Sequence, residues 1–99
     1  MPNEAYWKKR DDKLTKRAKR MWRVLFNEPF PKGWHFVWYF LGATDHPCKQ
    51  LLLVDGLDDR RAIDTLVHEF VHVKFPNKRH GKGFDKMVRK MTRVAECVK

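Results

Sequence analysis

The chain has 99 residues, 42% of them hydrophobic and including four Trp and seven Phe, enough apolar material for one domain with one modest core and too little length for a second. Its 22 Lys and Arg against 12 Asp and Glu give a formal net charge of +10, which suggests a polyanionic partner against the plainer reading of a solvated basic surface. No apolar run approaches the ~20 residues of a membrane span, and Met1 to Arg10 lacks the hydrophobic centre of a signal peptide, so a soluble, cytoplasmic chain with no membrane partner is expected.

From about Tyr6 to Asn27 the pattern is helical, with Leu14, Ala18, Met21, Trp22 and Leu25 on one side. The other side carries Lys8, Lys9, Arg10, Lys13, Lys16, Arg17, Lys19, Arg20 and Arg23 against Asp11 and Asp12, a cationic surface able to track phosphates. Pro29, Pro31 and Gly33 break the chain before Trp34–Leu41, whose aromatics and valine predict a strand. Gly42 to Gln50 is expected as a connecting turn. Leu51–Val54 is predicted as a second strand, ended by Asp55-Gly56 and paired with the first as an antiparallel hairpin.

No Pro or Gly interrupts the stretch from Leu57 to Phe75, which is expected to be a buried helix capped by Asp58 or Asp59 and stopped by Pro76 and Asn77. After His80-Gly81 a final helix places Phe84, Met87, Val88, Met91, Val94, Ala95 and Val98 on an apolar face opposite Lys86, Arg89, Lys90 and Arg93. The two cysteines lack C-x-x-C spacing, so free thiols are expected, Cys48 in a turn between strands and Cys97 as a small core residue. The expected class is therefore α+β over residues 1–99: N-terminal helix, small antiparallel hairpin sheet, motif-bearing helix and C-terminal amphipathic helix.

The chemistry concentrates in the third of these elements. His68-Glu69-Phe70-Val71-His72 is an H-E-x-x-H pentapeptide in an apolar setting made by Leu66, Val67, Phe70, Val71 and Val73. Residues four apart are neighbours on a helix, so both imidazoles reach one tetrahedral metal, and Glu69 is positioned to act as general base on a water. His80 can supply the third ligand. A core helix with two coincidentally spaced His is the bland alternative, and it would leave unpaired polar groups buried at about 1–3 kcal/mol each. For a further oxyanion-stabilising group, Tyr39, His35 and His46 are candidates, each better explained as structural or surface.

The element order, together with His68, Glu69 and His72 and with His80-Gly81-Lys82-Gly83-Phe84 as an H-G-x-x-F segment, resembles the SprT-like, Spartan-type zinc metallopeptidases. The resemblance covers about Phe36 to Met91 and implies a minimal zincin-like fold. It also implies Zn2+ on His68, His72 and His80, Glu69 as catalytic base, and a protein substrate associated with nucleic acid. The zinc ribbon often found in that family is absent from these residues, so contact with DNA or RNA would come from the basic helices. Such a stripped-down core suits a phage or mobile element acting in host cytoplasm or nucleoid. Substrate would add as an extended strand near Leu51–Val54. Two rivals compete with this expectation. One is a nonenzymatic, zinc-stabilised nucleic-acid-binding protein, which has no need of Glu69. The other is a zinc-dependent ribonuclease of the ribosomal-RNA maturation type, whose motif resembles H-G-x-x-H where this chain has Glu69.

Overall fold

The computed structural model describes residues 4–38, 43–45, 49–53, 57 and 59–99. The domain is mostly helical, with a radius of gyration of 13.2 Å, as expected for one folded unit of this length. In chain order the described elements are α1 (Glu4–Phe26), β1 (His35–Trp38), β2 (Ala43–Asp45), β3 (Gln50–Leu53), α2 (Arg60–Lys74) and α3 (Lys82–Ala95).

Helix α1 buries Ala18, Met21 and Trp22 completely, with Leu14 and Leu25 partly covered beside them, and keeps Lys9, Lys13, Lys16, Lys19, Arg20 and Arg23 exposed. Trp22 is its anchor. The indole lies 5.1 Å edge-on to Phe70 of α2 and 5.3 Å edge-on to Phe30, geometries that suit the ring quadrupoles. Phe36 stacks on Phe30 at 5.0 Å and Trp38 sends its indole N–H to Thr15 Oγ1 at 3.2 Å, so β1 is fastened to α1. Arg17 spans more of the molecule: its Nε donates to Val98 O and its Nη1 to Leu57 O, each at 3.0 Å.

The strands correct the expected hairpin. β1 and β3 pair in parallel, Phe36 opposite Leu51 and Trp38 opposite Leu53, while β2 pairs antiparallel with the other edge of β3, Thr44 opposite Leu51. The order is β1-β3-β2, which makes β3 the central strand and gives a mixed sheet where a purely antiparallel one was expected. The stretch taken as a simple turn contains β2. Leu51-Leu52-Leu53 shows no polar alternation, and such continuous runs belong to strands flanked on both edges and covered on both faces. It follows that Leu51–Leu53 is not an edge on which a substrate strand can be added. Tyr39, His46, Cys48, Asp55, Gly56 and Asp58, to which expectations were attached, lie outside the described residues.

Helix α2 begins at Asp59, whose Oδ1 accepts the Ala62 N–H at 2.8 Å, and ends as the Phe75 N–H closes on Val71 O at 2.8 Å. It buries Ile63, Leu66, Val67, Phe70 and Val71 against the rest of the core. Its C-terminal end is tied to the segment after α1 by Lys74 Nζ on Glu28 Oε1 at 2.6 Å. Helix α3 packs Phe84, Val88, Thr92 and Ala95 inward and leaves Lys86, Arg89, Lys90 and Arg93 in water. Val94 is 47% exposed, because at about 100° per residue it falls well round the helix from Phe84. Cys97, expected in the core, is exposed, since α3 ends before it and the turn carries its thiol outward. Among the described residues no helix is long and apolar enough to cross a membrane.

Candidate metal centre

The uninterrupted α2 helix sets His68 and His72 one turn apart on the same side, with Nε2 atoms 3.1 Å apart. After the helix stops, residues 75–81 double back, helped by the Lys78 N–H bonding Phe75 O at 3.0 Å, and deliver His80 to the same point. His80 Nε2 lies 2.8 Å from His72 Nε2, and ligand atoms of all three residues fall within 4.8 Å of one another. Gly81 is extended (φ 164°) with open space where a Cβ would stand, so the return of the chain does not depend on glycine there.

Phe84 forms the wall behind the cluster. Its ring centroid is 4.8 Å from that of His68, 5.0 Å from His72 and 4.8 Å from His80, and the side chain is 1% exposed. The side chain thus supports all three imidazoles at once and covers one side of the site with hydrocarbon. In the sequence Phe84 was legible as a core position and as part of a motif, but its equal contact with the three rings emerges only from the fold.

The donor set fits a metal ion. An imidazole nitrogen has one in-plane position, filled by either a proton or a lone pair, so His72 Nε2 cannot make two well-directed hydrogen bonds to the two nitrogens beside it. One ion bound to all three lone pairs resolves the conflict. Zn–N distances of about 2.0–2.1 Å in tetrahedral geometry put ligand nitrogens about 3.3 Å apart, near the 3.1 Å from His72 to His68 and the 2.8 Å from His72 to His80. Partial burial, and then the neighbouring His80, hold His68 below the usual imidazole pKa against the opposing pull of Asp64 and Asp85. Neutral imidazole is the form that ligates.

Asp64 lies one turn before His68 on α2, and its Oδ1 is 3.0 Å from Thr92 Oγ1, which itself reaches Val88 O at 2.8 Å. Asp64, His68, Asp85, Val88 and Arg89 line an open hollow of about 300 Å³ beside the cluster. Asp64 went unremarked in the sequence, though D-x-x-x-H continues the four-residue spacing of the motif back by one turn. Glu69, the candidate base, is buried at 4% exposure within the helical turn bounded by His68 and His72. Of the three oxyanion candidates only His35 is described, and it is exposed on β1.

No protein-family model matches the chain, and comparisons with curated proteins and with solved structures give no significant similarity.

Proposed function

We propose that the chain is a zinc-dependent metallopeptidase of the SprT-like kind, with a minimal zincin-like arrangement. The observation that carries this is the convergence of His68, His72 and His80 through Nε2, with the carboxylate of Glu69 in the same helical turn. His68, His72 and His80 would hold the ion. Zinc held there would supply Lewis acidity, lowering the pKa of a water toward neutrality and polarising a carbonyl. Glu69 takes the proton of the attacking water and hands it to the departing amine. Phe84 keeps the imidazoles oriented and excludes solvent from one side.

Structural zinc sites are usually closed by four protein ligands, whereas the cluster among the described residues comprises three. That favours an open site over a metal that only staples a binding module. Glu69, buried where a purely structural site has no use for a carboxylate, favours peptide hydrolysis over RNA cleavage. Since β3 is central, an extended substrate is better matched to the outer edge of β2, which packs on α2 and among the described residues pairs with β3 alone. The exposed lysines and arginines of α1 and α3 recruit the enzyme to DNA or RNA, so that its substrates are proteins held there, in a cytoplasmic or nucleoid setting.

Incubation with casein and with structured RNA, each with and without a chelator, tests the assignment. Casein cleavage that stops on chelation and returns with zinc is expected. Glu69→Gln should lower it by at least about 100-fold, the scale of general-base catalysis, while keeping one zinc per chain by mass spectrometry. Full proteolysis by Glu69→Gln, or chelator-sensitive cleavage of RNA in place of casein, would overturn it.

A further inference from the structure

A concave surface apart from the metal centre runs between the second half of α1 and the segment 29–35. It is an open groove of about 620 Å³, within the range of about 300–1,000 Å³ usual for small-ligand sites. Lys19, Arg20, Arg23 and Lys32 line it together with Trp34 and His35, and no acidic side chain is among its described lining residues. Lys19 and Arg23 stand four apart on α1, hence side by side on one face. Gly33, at φ +88° where a side chain would be strained, forms the lip, and the Lys49 side chain lies against it, bringing a further cation to the rim.

We infer that this groove binds single-stranded nucleic acid, the phosphates running along Lys19, Arg23 and Lys32 and a base resting against the Trp34–His35 wall. The inference rests on the nucleic-acid part of the proposed function and gives it a place and a strand preference. Cations alone would serve any polyanion. Combined with aromatic side chains in a concave surface, they select a strand whose bases have free π-faces, which a duplex does not offer. The α3 surface provides an internal contrast: its hollow of about 590 Å³ is also cationic, through Lys82, Lys86, Arg89, Lys90 and Arg93, but includes Asp85 and no aromatic ring. The groove also lies away from the metal. Phe70, which meets Trp22 and Phe30 beneath the groove, is two residues from His68 and so about 200° around α2. Strand binding there leaves the catalytic face open to a protein substrate.

Fluorescence anisotropy on the full chain tests this, with labelled 15-nucleotide oligothymidylate and oligouridylate, a 15-base-pair duplex, and competing vesicles containing phosphatidylserine. Either single strand should bind at least fivefold more tightly than the duplex, and the two oligomers tell DNA from RNA as the favoured source. The double reversal Lys19→Glu/Arg23→Glu should weaken single-strand binding at least tenfold, and the matched Lys86→Glu/Lys90→Glu less than threefold. His35→Ala, at an exposed position where folding is not at stake, should weaken single-strand binding several-fold and leave the duplex unaffected. Equal loss from both reversals, a duplex bound as tightly as single strands, or vesicles displacing the oligomer would overturn the groove assignment. Because this readout needs neither zinc nor Glu69, casein cleavage is scored separately: a duplex preference with intact cleavage removes the groove alone, and loss of cleavage with intact strand binding removes the peptidase.

Discussion

Replacing Phe84 by Leu separates a wall that orients three ligands from an ordinary core residue. The ring sits within 4.8–5.0 Å, centroid to centroid, of all three imidazoles and is almost wholly buried. Truncation to Ala would cost about 3–5 kcal/mol, too much of the roughly 5–15 kcal/mol that holds a domain of this size together. Leu keeps most of the apolar volume and should cost about 1.5 kcal/mol, lowering the melting temperature of the metal-free protein by about 6–12 °C. The informative quantity is the further rise on adding zinc. At a zinc concentration of 100 Kd the wild type gains about 2.7 kcal/mol. If the imidazoles lose their backing and affinity falls tenfold, the same zinc gives about 1.4 kcal/mol, roughly half the shift. Thermal unfolding followed by circular dichroism, with and without zinc, measures both numbers. A zinc-induced shift in Phe84→Leu equal to that of the wild type would refute the orienting role and leave Phe84 as packing alone.

Other outcomes follow from features already described. Asp59→Ala removes the side-chain acceptor at the start of α2 and should cost about 1 kcal/mol, seen as a melting temperature lower by about 4–8 °C, while a shift under 1 °C would mean the cap is dispensable. Burial, and then His80, hold His68 below the ordinary imidazole value of about 6.5, so at neutral pH it is mostly uncharged in both folded and unfolded chains. As pH falls through that value the unfolded chain takes up the proton first, and the metal-free protein should lose stability until folded His68 protonates as well. Urea titrations between pH 7.5 and 5 should show that decline for the chelated wild type and a shallower one for His68→Gln; identical slopes would discount the shift.

Much of the site could be read from local pattern because its geometry is local. An uninterrupted helix fixes His68 and His72 through its own periodicity, Asp59 is an N-cap by chemistry as well as by position, and His80 needs only a short return of the chain. Strand order was not legible in the same way. Whether Leu51–Leu53 meets Phe36 in parallel or antiparallel sense depends on where β2 goes, and β2 is three residues long with no strong strand signal of its own. The unbroken leucines were the available clue, pointing to a central strand. Val94 and Cys97 differ from expectation for simpler reasons: Val94, within α3, stands at the border of the apolar stripe, and Cys97 lies beyond the point where α3 stops. Phe84 was legible as a core position, but its tie to three rings from two segments joins contacts that no single periodicity contains.

The return of residues 72 to 80 has a thermodynamic meaning as a cross-link. An ion shared by His72 and His80 closes a ring of about nine residues, and the loss of chain entropy in the unfolded state that such a ring imposes is on the order of 2–3 kcal/mol. The Trp22, Met21, Leu51 and Phe70 cluster lies outside that ring and is assembled by burial alone. With an ion bound there, a chelator would unpin one short loop and the start of α3 and leave that cluster in place. Loading would then act as a switch on a fold whose core lies outside the ring, unlike small zinc modules, in which removing the ion removes the fold.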